Sequence, residues 1–326
     1  MQRPAEPPPM AVRRQCTDRV LMVRPATFYS NPETLPTNSF QNALPVAPPD
    51  TLAAAQREFD AAADALVAAG IGVALARADA DAETPDALYP NNWFTTHADG
   101  LVVLYPMCTP NRRRERRPQL LAALAAEHGW RISHVSDLSP LEEQGLIVEG
   151  TGSLVLDREA RVAYAALSAR THAQAVEIAC RELGYTPLAF HAHDPAGGEI
   201  YHTNVLMSVG PTLAVLASGL VQPGPDLRRV FDAIEQTGKT LLDISPAQVA
   251  QFAGNVLFLD SRGGPRLAVS RRAWKSLTRA QRQLIEQHAE PVICAVETIE
   301  HVGGGGIRCM LAEIFLPPYV PAAPGA

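Results

Sequence analysis

The stretch EGTGSLVL, residues 149–156, places a carboxylate and a small-residue turn directly before an apolar run. The same grammar returns as NNWF from 91, HTNVLMSV from 202, GNVLFL from 254 and RCMLAEIF from 308. With Asn92, Glu149, His202, Asn255 and Cys309 taken as polar pivots, successive spacings are 57, 53, 53 and 54 residues. A self-similar period of about 54 residues predicts repeated units around an axis, with the strand-entry pivots converging at the centre. Residues more than two hundred positions apart would then share one site.

Between the pivots, helical periodicity runs over 49–70, 118–129, 171–184, 226–238 and 278–288, most of these ending at a glycine. Short β-like runs lie at 20–23, 101–105, 153–156, 162–165, 205–209, 213–217, 256–259 and 267–269. Strands alternating with helices predict an α/β class. The domain is expected over 19–317, with a disordered Pro-rich lead-in at 1–18 and a coil-like tail at 318–326.

Composition narrows the function. The chain has 326 residues, 47% hydrophobic and 19% charged, enough for a large core. A net charge of -6 gives no general attraction to nucleic acid. The basic run Arg112-Arg113-Arg114-Glu115-Arg116-Arg117 is expected to be a solvated loop and helix entry. Apolar runs are too short for a membrane span, Leu101 to Met107 being broken by Pro106, and the N-terminus lacks a secretory apolar core. Five cysteines without a C-x-x-C pair argue against a disulfide scaffold or structural zinc and for a reducing cytoplasm. The H-x-H-D cluster of His191, His193 and Asp194 lacks a further ligand pattern, so no metal is expected.

Chemistry concentrates at three pivots. Cys309 follows the Gly303–Gly306 run and stands beside Arg308, combining close backbone approach with a cation next to a thiol. His202 stands at the mouth of an apolar strand, where an acid/base is oriented and partly dry. Glu149 lies between apolar residues and glycines, so its carboxylate needs a donor such as an imidazolium or a ligand N–H. Thiol, proton shuttle and polarising carboxylate together suit covalent catalysis.

The ordered set EGTGS, SART, YHTN and GGGGIRCM resembles the guanidine-modifying superfamily, the penteins, over nearly the whole domain. RPATFYSNPETLPTNSFQ, YPNNWFTTH and GGGGIRCMLAEIF look most like its citrulline utilization hydrolase (citrullinase) branch. The resemblance implies a five-bladed α/β propeller of ββαβ-type units, in agreement with the counted period. It implies Cys309 as nucleophile, His202 as general acid/base, Glu149 holding substrate nitrogens and Arg170, in SART, gripping the α-carboxylate through a fork. No cofactor is implied, the partner is a small amino acid, and a homo-oligomer is left open.

The departures carry the substrate argument. Arginine deiminases have an Arg-Asp pair where this chain has Asn91-Asn92, and His-x-Asp where it has His202-Thr203-Asn204. Asn both donates and accepts, which suits a neutral ureido group, whereas a carboxylate only accepts. Asn91, Asn92 and Asn204 are therefore expected at the substrate, with citrulline hydrolysed to ornithine, carbon dioxide and ammonia. The rivals are arginine deiminase, dimethylargininase or amidinotransferase activity, and a non-catalytic amino-acid-binding propeller.

Overall fold

The computed structural model describes residues 14–42 and 50–320. Among the described residues, fifteen strands form five three-stranded sheets. β1 (Arg19–Arg24) and β2 (Gly72–Arg77) belong to the first, β3 (Phe94–Thr96), β4 (Leu101–Leu104) and β5 (His134–Asp137) form the second, and β6 (Val155–Asp157), β7 (Val162–Ala166) and β8 (Thr186–Phe190) the third. β9 (Met207–Val209), β10 (Leu213–Leu216) and β11 (Thr240–Asp243) form the fourth, and β12 (Leu257–Leu259), β13 (Arg266–Ser270) and β14 (Glu290–Cys294) the fifth. The last strand, β15 (Ala312–Glu313), returns to β1 and completes the first sheet, pairing Val20 with Glu313 and Leu21 with Ala312.

Every unit has one design: an inner strand antiparallel to a middle strand, which is parallel to an outer one. A parallel partner needs a crossover, and helices supply it. Helix Thr51–Ala68 shows why these segments fold as they do: Ala55, Phe59, Ala62, Ala63 and Leu66 are all buried and fall on one helical stripe. The arrangement is a five-bladed α/β propeller, the pentein fold. The inner strands β3, β6, β9 and β12 are three residues long and buried at every position, as a crowded axis requires.

Two local differences from the sequence reading bear on the site. The pivots do not enter strands directly, because one helical turn intervenes at Pro90–Asn92, Gly150–Ser153, Thr203–Leu206 and Ile307–Met310. The expected lead-in at 1–18 ends earlier among the described residues: Gln15, Cys16 and Thr17 are buried, and Gln15 Nε2 donates to the carbonyls of Leu156 and Val209. Filled hydrogen bonds make a polar segment stable inside. Residues 1–13 and 321–326 lie outside the described residues; of the expected C-terminal tail, Tyr319 N–H donates to Gly129 O.

Candidate active site

The four intervening turns and the Asn255 turn meet on the axis and present their polar side chains to a small cavity and to the hub beneath it. Tyr89, Asn92, Arg112, Arg170, His202 and Cys309 are among the cavity wall. Gly304, at φ +67°, turns the chain into the Cys309 turn, and its carbonyl accepts from Tyr201 Oη at 3.0 Å. Gly152 is required by approach: a Cβ there would overlap the Asn92 amide and the His202 ring.

Glu149 is fully buried and almost fully engaged. Its Oε1 accepts from Cys108 N–H at 2.9 Å, and its Oε2 meets His202 Nε2 at 2.8 Å. Arg170 Nη1 and Arg112 Nη1 stand 3.7 and 3.9 Å from the same Oε2. Burial pushes the carboxyl up, but the His202 hydrogen bond and then Arg170 outweigh it and bring it down to about 2. Burial pulls the His202 imidazole down to about 4, against the opposing effect of Glu149. At neutral pH the pair is therefore carboxylate and neutral imidazole. His202 then donates Nε2–H to Glu149, which leaves Nδ1 as its basic nitrogen.

Cys309 is 4% exposed. Asn255 Nδ2 donates to its Sγ at 3.2 Å, with Asn204 Nδ2 at 3.9 Å. Burial pushes the thiol above its ordinary range, against the Asn255 hydrogen bond and the Arg308 charge. Arg308 turns away from the thiol: Nη1 donates to Leu311 O and Nη2 to Glu313 at 3.1 Å.

The asparagines divide. Asn92 lines the cavity, its Oδ1 accepting from Arg112 Nη1 at 2.9 Å. Asn91 instead pins the turns together, its Nδ2 donating to Cys309 O and its Oδ1 accepting from Asn92, Thr151 and Asn204. Asn204 lies in the same hub, donating to Thr151 O at 3.1 Å. The fork expected at Arg170 is also reduced. Its Nε and Nη2 donate to Thr37 Oγ1, and Nη2 also to Thr34 O, so only Nη1 remains towards the cavity. These bonds hold the segment of the RPATFYSNPETLPTNSFQ motif against the site.

The family described as N,N dimethylarginine dimethylhydrolase, eukaryotic, matches residues 24–316. The chain belongs to this family. Its relatives are hydrolases acting on carbon–nitrogen bonds, within the pentein superfamily. Among solved structures, the chain is similar to the N-terminal domain of ArgZ, an arginine dihydrolase from the ornithine-ammonia cycle in cyanobacteria, as a substrate-bound cysteine-to-serine mutant (TM-score 0.69, 16% identity, covering 93% of this chain and 99% of that one). An asparagine-to-serine form of the same domain, covalently bound to a reaction intermediate, gives TM-score 0.69 at 16% identity over 92% and 99%. The dimethylargininase DDAH from Pseudomonas aeruginosa, a cysteine-to-serine mutant complexed with citrulline, gives TM-score 0.65 at 11% identity over 92% and 100%. No curated protein sequence matches the chain.

In this member of the family, sequence reasoning missed Arg112 and Asp86, and it placed Asn255 among the pivots without giving it a role. Arg112 belongs to the basic run expected to be solvated, yet it is 2% exposed. Its Nε and Nη2 fork onto Glu115 at 2.9 Å each, so the local i, i+3 pair was the available signal. Arg113 and Arg116 reach Glu142 instead, at 3.6 and 2.7 Å. Asp86 lines the cavity; its Oδ2 accepts from Asn31 and Thr34, while Oδ1 is buried with no partner among the described residues. In the H-x-H-D cluster, His191 pairs with Asp226 at 3.2 Å and Asp194 caps Ala196 and Gly198 N–H groups.

Proposed function

We propose that the protein is a cysteine-dependent hydrolase of a small ureido amino acid, citrulline, yielding ornithine, carbon dioxide and ammonia. One observation carries the choice of a neutral head group: the only carboxylate bonded to His202, Glu149, already has its charge offset by Arg170 and Arg112 within 4 Å. A guanidinium at Glu149 would meet a carboxylate whose charge is already offset, whereas a ureido group needs only donors and acceptors.

In this reading His202 Nδ1 takes the Cys309 thiol proton as Sγ attacks the ureido carbon. The same proton passes to the δ-nitrogen as its C–N bond breaks, so ornithine leaves and a carbamoyl thioester remains. Water then gives its proton to His202 and its oxygen to the carbamoyl carbon. Carbamate departs, Sγ regains the proton, and carbamate decomposes to carbon dioxide and ammonia. Glu149 keeps the imidazole in its tautomer, and Asn92 and Asn255 orient the ureido group and the sulfur. The covalent intermediate on the cyanobacterial relative supports this route.

A second reading is favoured by Asp86, whose unpartnered Oδ1 suits a cationic N–H: arginine or dimethylarginine, the substrate in the family's description, would be hydrolysed to citrulline. In the first reading Asp86 holds the α-ammonium. Mass spectrometry of products from citrulline, arginine and dimethylarginine, with Cys309→Ala as control, separates the two. Ornithine from citrulline alone, lost in the variant, supports the first reading; citrulline from either guanidino substrate overturns it in favour of the second. Absence of product from all three overturns both and favours binding without turnover.

A further inference from the structure

A second cavity, of about 410 Å³, lies at the other end of the inner strands. β3, β6 and β15 each start beyond a turn of the candidate active site and deliver His97, Arg158 and Phe315 to its wall. Four arginines, 14, 19, 158 and 161, face it against only Asp18 and Asp99, so the lining is net positive. Nothing in the proposed reaction uses it.

Two of these guanidiniums lie over aromatic rings. Arg158 Cζ lies 3.9 Å from the Phe315 centroid and Arg161 Cζ 4.2 Å from that of Tyr185. Arg161 spends Nε and Nη2 on the carbonyls of Gly184 and Leu183. Arg158 differs: it is 6% exposed, and its nearest acid is Glu313 Oε1, 3.6 Å from Nε. Its guanidinium donates no hydrogen bond to the described residues, although a buried cation normally fills its donors. The ring fixes the plane and leaves the N–H edge for an acceptor outside the protein.

We propose that this cavity is a binding site for a small organic polyanion, its phosphate or carboxylate groups taken by the edge of Arg158 with Arg14 and Arg19 at the rim. Recognition is by bidentate, charge-assisted hydrogen bonds, and the net positive lining selects multivalent anions over monovalent ones. The site is independent of which substrate the thiol attacks.

The test is calorimetric titration of the full chain with pyrophosphate and with citrate, against sodium chloride at matched ionic strength. One saturable site with a dissociation constant below about 1 mM is expected, weakened at least about tenfold in both Arg158→Met and Arg14→Glu. Arg14 is exposed, so its variant keeps the fold if Arg158→Met does not. Cys309→Ala should bind the anion as the wild type does, which separates this site from the catalytic cavity. Response to pyrophosphate alone assigns a phosphate ligand, and response to citrate alone a polycarboxylate. Absence of saturation by either anion, an equal response to chloride, or unchanged affinity in the folded arginine variants overturns the proposal.

Discussion

Arg112 and Arg158 are buried guanidiniums at opposite ends of the propeller axis, 2% and 6% exposed, and they are held by different means. Arg112 meets Glu115 with two N–H groups, Asn92 with a third and Tyr89 O at 3.4 Å. Arg158 rests on a ring and stands beside an acid without a hydrogen bond. Burial alone therefore does not tell what a charge is for. A side chain whose donors are filled by the protein positions its neighbours, and one whose donors are open is ready for something else.

The largest test of that contrast is Arg112→Met. It strands Glu115 and the Asn92 carbonyl, and the expected loss is about 3–5 kcal/mol in denaturant unfolding. A loss below about 1 kcal/mol would break the comparison.

Glu300 sharpens it with the opposite sign of charge. Its two carboxylate oxygens are buried without a well-aligned hydrogen bond among the described residues, and burial, outweighing the nearby Ser270 hydroxyl, raises its pKa to about 7. The folded state keeps this proton while the unfolded chain releases it near pH 4.5, so stability falls as pH rises from about 4.5 to 7. Glu300→Gln should remove that slope and stabilise the protein at pH 8 by roughly 1–3 kcal/mol, read from unfolding curves at several pH values. An unchanged slope would mean that another group sets it.

Thr37→Val should cost about 1 kcal/mol, since it opens Arg170 Nε and one Nη2 bond while leaving Thr34 O in place. If Arg170 serves chiefly to hold the 34–37 segment, KM rises more than kcat falls; a change in kcat alone would move Arg170 into the chemistry. The smallest effect belongs to Arg158→Met, below about 1 kcal/mol in stability, because stacking on Phe315 survives in a long apolar side chain.

The period that reveals five units was legible because each pivot is a polar residue followed by a short inner strand of mostly buried apolar or small residues, with Asp157 and Glu313 as the charged exceptions. The outer strands were less legible. β5, with three of its four residues exposed, and β11, TLLD, lack an apolar alternation, since these strands sit at sheet edges. At the site, Cys309, His202 and Glu149 could be singled out by residue type and setting. The split between Asn91 and Asn92 could not, because adjacent residues on one helical turn point to different neighbours, one to the Cys309 carbonyl and one to the cavity. Arg112 was only partly legible: its two bonds to Glu115 are local, but the third goes to Asn92, twenty residues away.

The pairing of β15 with β1 makes the first blade from two distant parts of the chain, Val20 beside Glu313. A ribosome moving at about 5–20 residues per second exposes β1 roughly 15–60 s before its partner emerges. Until then that strand has an open edge available to other chains. The thiol-bearing turn is made just before the strand that seals the blade, so the cavity at Cys309 comes into being only when the last gap closes. A growing polypeptide carries every other pivot without the proposed nucleophile, and proteolytic loss of residues beyond 305 would remove Cys309 and closure together.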